Sequence, residues 1–218
     1  TAGVGDIDVQ AFGAGGMSVD RLGLEGGTMR NDAGGTTVGA KSASGAGISG
    51  HGVNVKGAQM TDAALAVPTT GGVGFNAGGA TVDQLQVGST EIAGATASGL
   101  GVNVKDGKTS TKAKKLGVTG VRTGDVSIAS GNATDAKVDV GGGKVDIGAG
   151  TANVHALAAG STRVGDLGAT GANVSVGGGA ISAKAKTVDA KKLAFGESSL
   201  GSAHANGVDF AKDDKGVR

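Results

Sequence analysis

An internal repeat constrains this chain more than any other feature of its sequence. Residues 71–116 and 143–188 align without a gap at an offset of 72, with 19 identities in 46 positions. The bias toward glycine and alanine would by itself give roughly five or six identities, so composition does not explain the match. Apolar positions also stay in register at half that offset, as at Val102, Val138 and Val174. The chain is therefore built from a 36-residue unit.

Composition limits what such a unit can bury. The 218 residues include 46 glycines, one proline and no cysteine, and aromatic residues make up 2%. Glycine usually accounts for about 7% of a protein, and the scarcity of large side chains argues against a thick globular core. Hydrophobic residues still reach 38%, because alanine and valine replace the bulky types, so the signature of disorder is missing. We expect a thin core that is repeated many times.

Between the glycines, apolar and polar residues alternate with a period of two. In the clearest stretch, Ile181, Ala183 and Ala185 alternate with Ser182 and Lys184. Each such stretch predicts a short strand with one small apolar face and one wet face. Glycine-containing pairs between the stretches supply the positive φ values that tight turns need.

This pattern predicts an all-β repeat fold. A 36-residue unit that carries five or six strands of three to five residues is most simply two coils of about 18 residues. Each coil would be a three-strand rung of a parallel β-solenoid, also called a parallel β-helix. The alternatives are a β-prism and a trimeric β-helix in which three chains share one core.

The repeat runs through nearly the whole chain. We expect residues 1–210 to form a single continuous array, with irregular insertions near residues 26–46 and 56–72, because matching motifs in the first third have other offsets. Pro68 falls in the second insertion and is expected at a corner or loop, since proline cannot donate to a strand ladder. Residues 211–218 are rich in charge and predict a C-terminal tail or cap over an open sheet edge.

Residues suited to catalysis or metal binding are few. The three histidines, His51, His155 and His204, share no repeat phase and lack the close spacing of a zinc site. We expect them at exposed positions, with no metal and no other cofactor. Paired carboxylates such as Asp139 and Asp146 could meet across adjacent rungs, but sugar-cleaving β-helices also present aromatic residues to their substrates. With no cysteine and no GxSxG motif, we expect no enzymatic activity.

Two lysine clusters recur at the offset of 72 and are the one repeated feature outside the apolar positions. Because these lysines alternate with alanine, they are expected to form a stripe on an outward face. Such a stripe could bind an anionic glycan, lipopolysaccharide or lipid, and a solvated face is the simpler explanation. The net charge of +1 gives no basic excess for nucleic acid. The candidate binding residues are Lys112, Lys114, Lys115, Lys184 and Lys186.

The short Val/Ala strands, the Asn and Gly corners and the imperfect repeats of about 18 to 20 residues resemble a known class of proteins. They resemble the repetitive β-solenoid passenger or stalk regions of secreted bacterial proteins, such as filamentous-haemagglutinin-like adhesins and toxins. The resemblance implies a non-catalytic structural or adhesive segment of a larger bacterial surface or secreted assembly. It also implies an extracellular or cell-surface location, with other segments of the same large protein as partners.

The residues leave other functions and assemblies open. A module that binds an anionic polymer or lipid through the lysine stripe is one alternative. A carbohydrate-active enzyme on a β-helix is another. A homo-oligomer joined through an exposed edge or face is also possible, because a strand edge offers unpaired donors and acceptors to a second chain.

Overall fold

The fold consists of β-strands alone in the part of the chain that the structure describes. This computed structural model describes residues 2–3, 5–14, 17–50, 53–87, 89–105, 108–141, 144–177, 180–213 and 216–217. The strands are β1 (Ala2–Gly3), β2 (Ile7–Ala14), β3 (Met17–Glu25), β4 (Thr28–Asp32), β5 (Gly35–Gly50), β6 (Val53–Pro68), β7 (Val73–Val82), β8 (Leu85–Val87), β9 (Thr90–Lys105), β10 (Lys108–Thr123), β11 (Val126–Gly141), β12 (Lys144–Ala159), β13 (Thr162–Gly177), β14 (Ala180–Phe195), β15 (Ser198–Asp213) and β16 (Gly216–Val217). The prediction of an all-β repeat fold is confirmed. A search of these same ranges finds no helix of the length and hydropathy that a membrane span requires.

Consecutive strands lie side by side and antiparallel in one sheet. From β9 to β15 each strand has 16 residues. Two residues separate each of these strands from the next, so one strand with its turn occupies 18 residues. We call each strand position in the sheet a row. Three rows consist of two shorter strands placed end to end: β7 with β8, which both pair with β6 and β9, β3 with β4, and β1 with β2. The 36-residue unit is therefore a β-hairpin plus the turn that leads to the next one.

The antiparallel pairing corrects the prediction of a parallel β-solenoid. Parallel strands need a long crossover connection, whereas a two-residue turn can only reverse the chain. Gly124, Gly160 and Gly196, which recur at an offset of 36, lie in such turns with φ of 52°, 56° and 60°. Since all strands join one sheet, the separate sheets of a β-prism are also not found among the described residues. The predicted coil of 18 residues is a single strand and its turn.

Residues line up across the sheet in columns, which we number along β9 from column 1 at Thr90 to column 16 at Lys105. Between β9 and β15 every strand pair loses its ladder at columns 4 and 10. A residue with positive φ occupies column 10 in one row and column 4 in the next, and we call these residues corners. The corners of column 4 are Ala11, Gly47, Gly120, Ala156 and Lys192, and those of column 10 are Gly26, Asp62, Gly99, Asp135, Gly171 and Gly207.

The corners keep the apolar side chains on one face. An extended strand changes face at every residue, so one additional residue at a corner shifts that alternation by one. Gly45 and Ile48 flank the corner Gly47, and a Cβ built on Gly45 would lie 3.0 Å from Ile48 Cδ1. Residues three positions apart thus share a face. Columns 3, 6, 8, 11 and 13 fall on this apolar face, and the described rows place no charged residue in them.

The sheet is a single layer with a thin core. Its accessible surface is 13074 Å², whereas a compact monomer of this mass would expose about 8,900 Å². The larger aliphatic residues of the apolar face stay partly exposed, as for Leu65 at 42% and Ile147 at 46%. The buried hydrophobic residues are Ala43, Ala77, Ala113, Val164 and Ala190. Alanine and valine side chains on the apolar face thus form the thin core that composition predicted.

Two other parts of the chain bear on the sequence expectations. Pro68 is the last residue of β6 and precedes a four-residue turn, residues 69–72, which is longer than the turns that follow β9 to β14. Proline therefore lies at the strand end beside a loop, as its missing donor requires. At the other end of the chain, β15 continues to Asp213, so the strand extends into the segment expected to be a tail.

A glycine pair in β15 tests the corner geometry. Gly207 has a φ of +63°, Gly201 has no positive φ, and a Cβ at either would find no atom within 4 Å. Left-handed backbone costs a residue with a Cβ about 1–2 kcal/mol, so Gly207→Ala should lower the free energy of unfolding by about 1 kcal/mol. Gly201→Ala should leave it unchanged or raise it by about 0.5 kcal/mol. Urea unfolding followed by circular dichroism measures both, and equal losses would contradict the corner assignment.

Candidate functional site on the polar face

The face opposite the apolar columns carries most of the polar pairs between strands. Residues in columns 5, 7, 9, 12 and 14 point to this polar face, where each side chain lies beside its partner in the next strand. Thr134 and Thr151 in column 9 are hydrogen-bonded at 2.8 Å, as are Thr170 and Thr187 at 2.6 Å. Three groups of ionisable side chains stand out here: two histidine–aspartate pairs, a basic cavity and the predicted lysines.

The two histidine–aspartate pairs join neighbouring strands. His155 Nδ1 in β12 lies 2.7 Å from Asp166 Oδ1 in β13, and His204 Nδ1 in β15 lies 2.6 Å from Asp189 Oδ1 in β14. All four side chains are exposed, between 50% and 63%. The prediction of exposed histidines is confirmed for these two. His51 lies outside the described residues.

These contacts shift the pKa of one partner in each pair. The hydrogen bond and the charge of Asp189 raise the pKa of His204, and a hydrogen bond with Asn206 adds to the effect. In the other pair, the hydrogen bond with His155 lowers the pKa of Asp166. Each shift favours the charged form of its group, as a cross-strand hydrogen bond to that form should.

Column 5 contains three residue types that also occur together in catalytic sites. Ser130, His155 and Asp166 lie opposite one another in three adjacent strands, and a hydroxyl, an imidazole and a carboxylate are the components of a hydrolytic triad. The side chains of His155 and Asp166 are 63% and 50% exposed, whereas such chemistry depends on preorganised donors in a water-excluded site. We therefore interpret these three residues as cross-strand pairs and not as a catalytic site. Across the described ranges, His, Asp and Glu side chains form no group of three placed to hold a metal ion.

Asp139 and Asp146 lie directly opposite each other in β11 and β12, as the sequence suggested. The hydrogen bond from Lys137 lowers the pKa of Asp139, and hydrogen bonds from Ser175 and then Lys144 lower that of Asp146. Both carboxyl groups are therefore ionised near neutral pH. A glycosidase needs one carboxyl group with a raised pKa as its general acid, so this pair suits an ionic contact better than acid–base catalysis.

The same two aspartates line a wide, open cavity of about 810 Å³ on the polar face. Its uncharged wall consists of three glycines and of Asn76, Val102, Asn103, Thr109, Ser110 and Val140. Its charged residues are five lysines and two aspartates, which sum to a formal charge of +3: Lys105, Lys108, Lys112, Lys137, Lys144, Asp139 and Asp146. Because Lys137 and Lys144 pair with the aspartates, the positive excess comes from the other three lysines.

The structure separates the lysines that the sequence grouped into one stripe. Lys112 lines the cavity, and Lys114 and Lys115 follow it along β10. Lys184 and Lys186 occupy the same columns in β14, four strands away, at a distance of about 19 Å. The two clusters thus repeat in position without coming together.

Pairing also reduces the charge of the second cluster. Lys184 Nζ donates to Asp209 Oδ2 at 2.9 Å. Sequence reasoning missed the lysines of the cavity other than Lys112. Lys105, Lys108 and Lys144 lie at strand ends, and they could have been found by reading the pairs DG and GG as hairpin turns.

Comparisons with protein-family models, with curated proteins and with solved structures find nothing that matches this chain. The resemblance to stalk regions of secreted bacterial proteins therefore stays a prediction. What the polar face can do is inferred from its own residues.

The pair of His204 and Asp189 provides a pH-dependent test. Because the pKa of His204 is raised in the folded chain, the pair stabilises the fold fully below pH of about 6.5, and this contribution is lost as pH rises through the folded-state pKa. Asp189→Asn should return the pKa of His204 to its ordinary range, measured by NMR titration of the imidazole. Asp166→Asn is the control and should leave His204 unaffected. An unchanged pKa in Asp189→Asn would refute the pairing.

Proposed function

We propose that this chain is a non-catalytic structural or adhesive repeat segment of a larger bacterial surface or secreted assembly. One observation carries the proposal: the same hairpin is repeated across a single sheet, so that every copy extends the same two faces. An extracellular or cell-surface location, with other segments of the same protein as partners, belongs to this proposal and follows from the resemblance.

Repetition of this kind supplies length and surface. Each hairpin adds two rows, which is about 10 Å of sheet, and contacts only its neighbours, as in other repeat proteins. The polar pairs of the described rows hold adjacent strands together, and the ionic ones among them are exposed. Exposed ion pairs contribute little stability individually. They are better suited to keeping a broad face wet and soluble.

A deletion tests whether the hairpin is the modular unit. Removal of residues 126–161, one whole hairpin with its turns, should leave a folded and shorter sheet. Removal of residues 126–143, one strand, would reverse β12 relative to its neighbours and move the corner Ala156 from column 4 to column 13. Apolar and polar side chains would then mix on both faces. Circular dichroism, urea unfolding and small-angle scattering should show a folded chain for the first deletion and an unfolded or aggregated one for the second.

The same two deletion variants also test the proposed role as a repeated binding surface. If the segment acts through its repeated face, retention on immobilised glycans should decline gradually with the number of hairpins. Complete loss of retention in a hairpin deletion that remains folded would indicate one unique site and contradict the proposal. Similar unfolding of both deletions would show that the hairpin is not the unit.

The basic cavity supports a second candidate function, the binding of an anionic glycan, lipopolysaccharide or lipid. Lysine ammonium groups attract phosphate and sulfate groups as point charges, and three of them are in excess here. The cavity lies near the strand ends of β9, β10 and β12. A long anionic chain could therefore reach it from the edge of the sheet without crossing the apolar face.

Matched lysine variants locate this site. Lys105→Gln, Lys108→Gln and Lys112→Gln together remove three charges from the cavity, and Lys184→Gln, Lys186→Gln and Lys191→Gln remove three from β14. On a heparin column the first variant should elute at clearly lower salt than the second, because nearby charges act together on one ligand. Equal elution of the two variants, or retention unchanged from the parent chain, would exclude the cavity as the binding site.

A further inference from the structure

Much of the apolar face is exposed to solvent, although the small core residues Ala43, Ala77, Ala113, Val164 and Ala190 on it are buried. Several of its larger aliphatic residues in column 13, and in column 15 two residues further along each strand, are 41% to 46% exposed: Val38, Leu65, Val67, Val104, Val140 and Ile147. Others in these columns, such as Val102, Val138 and Val145, are half-buried. The exposed residues belong to five different strands between β5 and β12. The exposure thus recurs on several neighbouring strands and is not a set of isolated surface residues.

The face is larger than the apolar patches of soluble monomers. Columns 3 to 15 span about 40 Å, and the eleven rows from β3 to β15 span about 48 Å, which gives about 1,900 Å². The largest apolar patch on a typical monomer is about 300–600 Å². A standard protein interface needs about 800 Å² from each partner. The face is thus large enough for a stable interface and too large to be left in water.

We propose that the occupant of this face is a second copy of the same chain, packed face to face. Each row repeats at the strand spacing of about 4.8 Å, and side chains repeat every two residues along a strand. A second copy has the same spacings, so the side chains of one sheet can lie between those of the other over the entire face. The product is a β-sandwich, whose two inner faces form a core about 10 Å thick.

Charge placement favours this partner. In the described rows columns 3, 6, 8, 11 and 13 hold no charged residue, and column 15 holds one, Lys212 in β15. Pairing two apolar faces through columns 3 to 13 therefore buries no ionised group and brings no like charges together. The polar face, with its ion pairs and its cavity, would remain outside on both copies. The accessible surface exceeds that of a compact monomer by about 4,200 Å², and covering this face would remove roughly half of that excess.

An acyl chain is the competing occupant, and the geometry favours it less. A bound hydrocarbon is held in a cleft that encloses most of its surface. The cavity of about 810 Å³ is lined mainly by polar residues such as Asn103, Lys112 and Asp139, with Val102 and Val140 beside them, and most of its lining belongs to the polar face. The pairing of two copies does not depend on the function proposed above, because it rests on the apolar face alone.

A matched pair of variants in β6 tests the interface. Leu65 in column 13 is 42% exposed, so an aspartate there should not prevent one sheet from folding. Light scattering should give the mass of two copies for the parent chain. Leu65→Asp should weaken association at least tenfold, whereas Ala64→Asp, one residue away on the polar face, should remain a dimer. A folded parent chain with the mass of one copy at 100 µM would overturn the proposal, and so would equal effects of the two variants.

Thiol labelling gives a second measurement that retains small side chains. The chain has no cysteine, so Ala133→Cys on the apolar face and Asn132→Cys on the polar face each introduce a single thiol. In a face-to-face dimer, the maleimide reaction of Ala133→Cys is slow and accelerates on dilution, while that of Asn132→Cys stays fast. Fast reaction of both thiols at every concentration would refute the interface. A native mass spectrum that shows one copy with bound lipid would identify an acyl chain as the occupant of the face. That result would also refute the proposed dimer.

Discussion

The alternation of left-handed corners between neighbouring rows is the constraint on which the rest of this structure depends. A 16-residue strand without corners would turn its apolar residues from one face to the other wherever the pattern contains two polar residues in succession. Each full row from β9 to β15 has a corner at either column 4 or column 10. The ladder is broken at both columns, and the pairing register remains constant along each strand pair. Each strand thereby presents one apolar and one polar face throughout its length.

This separation of faces explains both the stability and the incompleteness of the single sheet. Backbone ladders and cross-strand pairs hold neighbouring rows together, and alanine-rich columns 8 and 11 form the most covered part of the apolar face. Leu65 and Ile147 remain partly exposed to solvent because no second layer packs against them. Domains are normally made from two layers around one core. The second copy that we propose would supply the other layer.

Particular residues show how far the sequence could be read. The offset of 36 correctly related Gly124, Gly160 and Gly196, because a turn residue with positive φ is under strong local selection by backbone sterics. Gly99, Asp135 and Gly171 also share a column, and glycine and aspartate both tolerate left-handed backbone. That signal was available for the corners of column 10. Column 4 has no such signal, since Ala156 and Lys192 adopt positive φ there only because their row requires it.

The sequence by itself determined the 36-residue unit, the short alternating segments, the thin alanine–valine core and the exposure of His155 and His204, because these depend on local sterics and on the period of a strand. Only the tertiary structure decided the direction of pairing. Three short segments separated by corners can form one rung of a coil or one bent strand of a meander, and both bury the same residues. The choice depends on whether the chain reverses at the end of each 18-residue unit, which also decided that Lys105, Lys108 and Lys112 share a cavity while Lys184 lies apart.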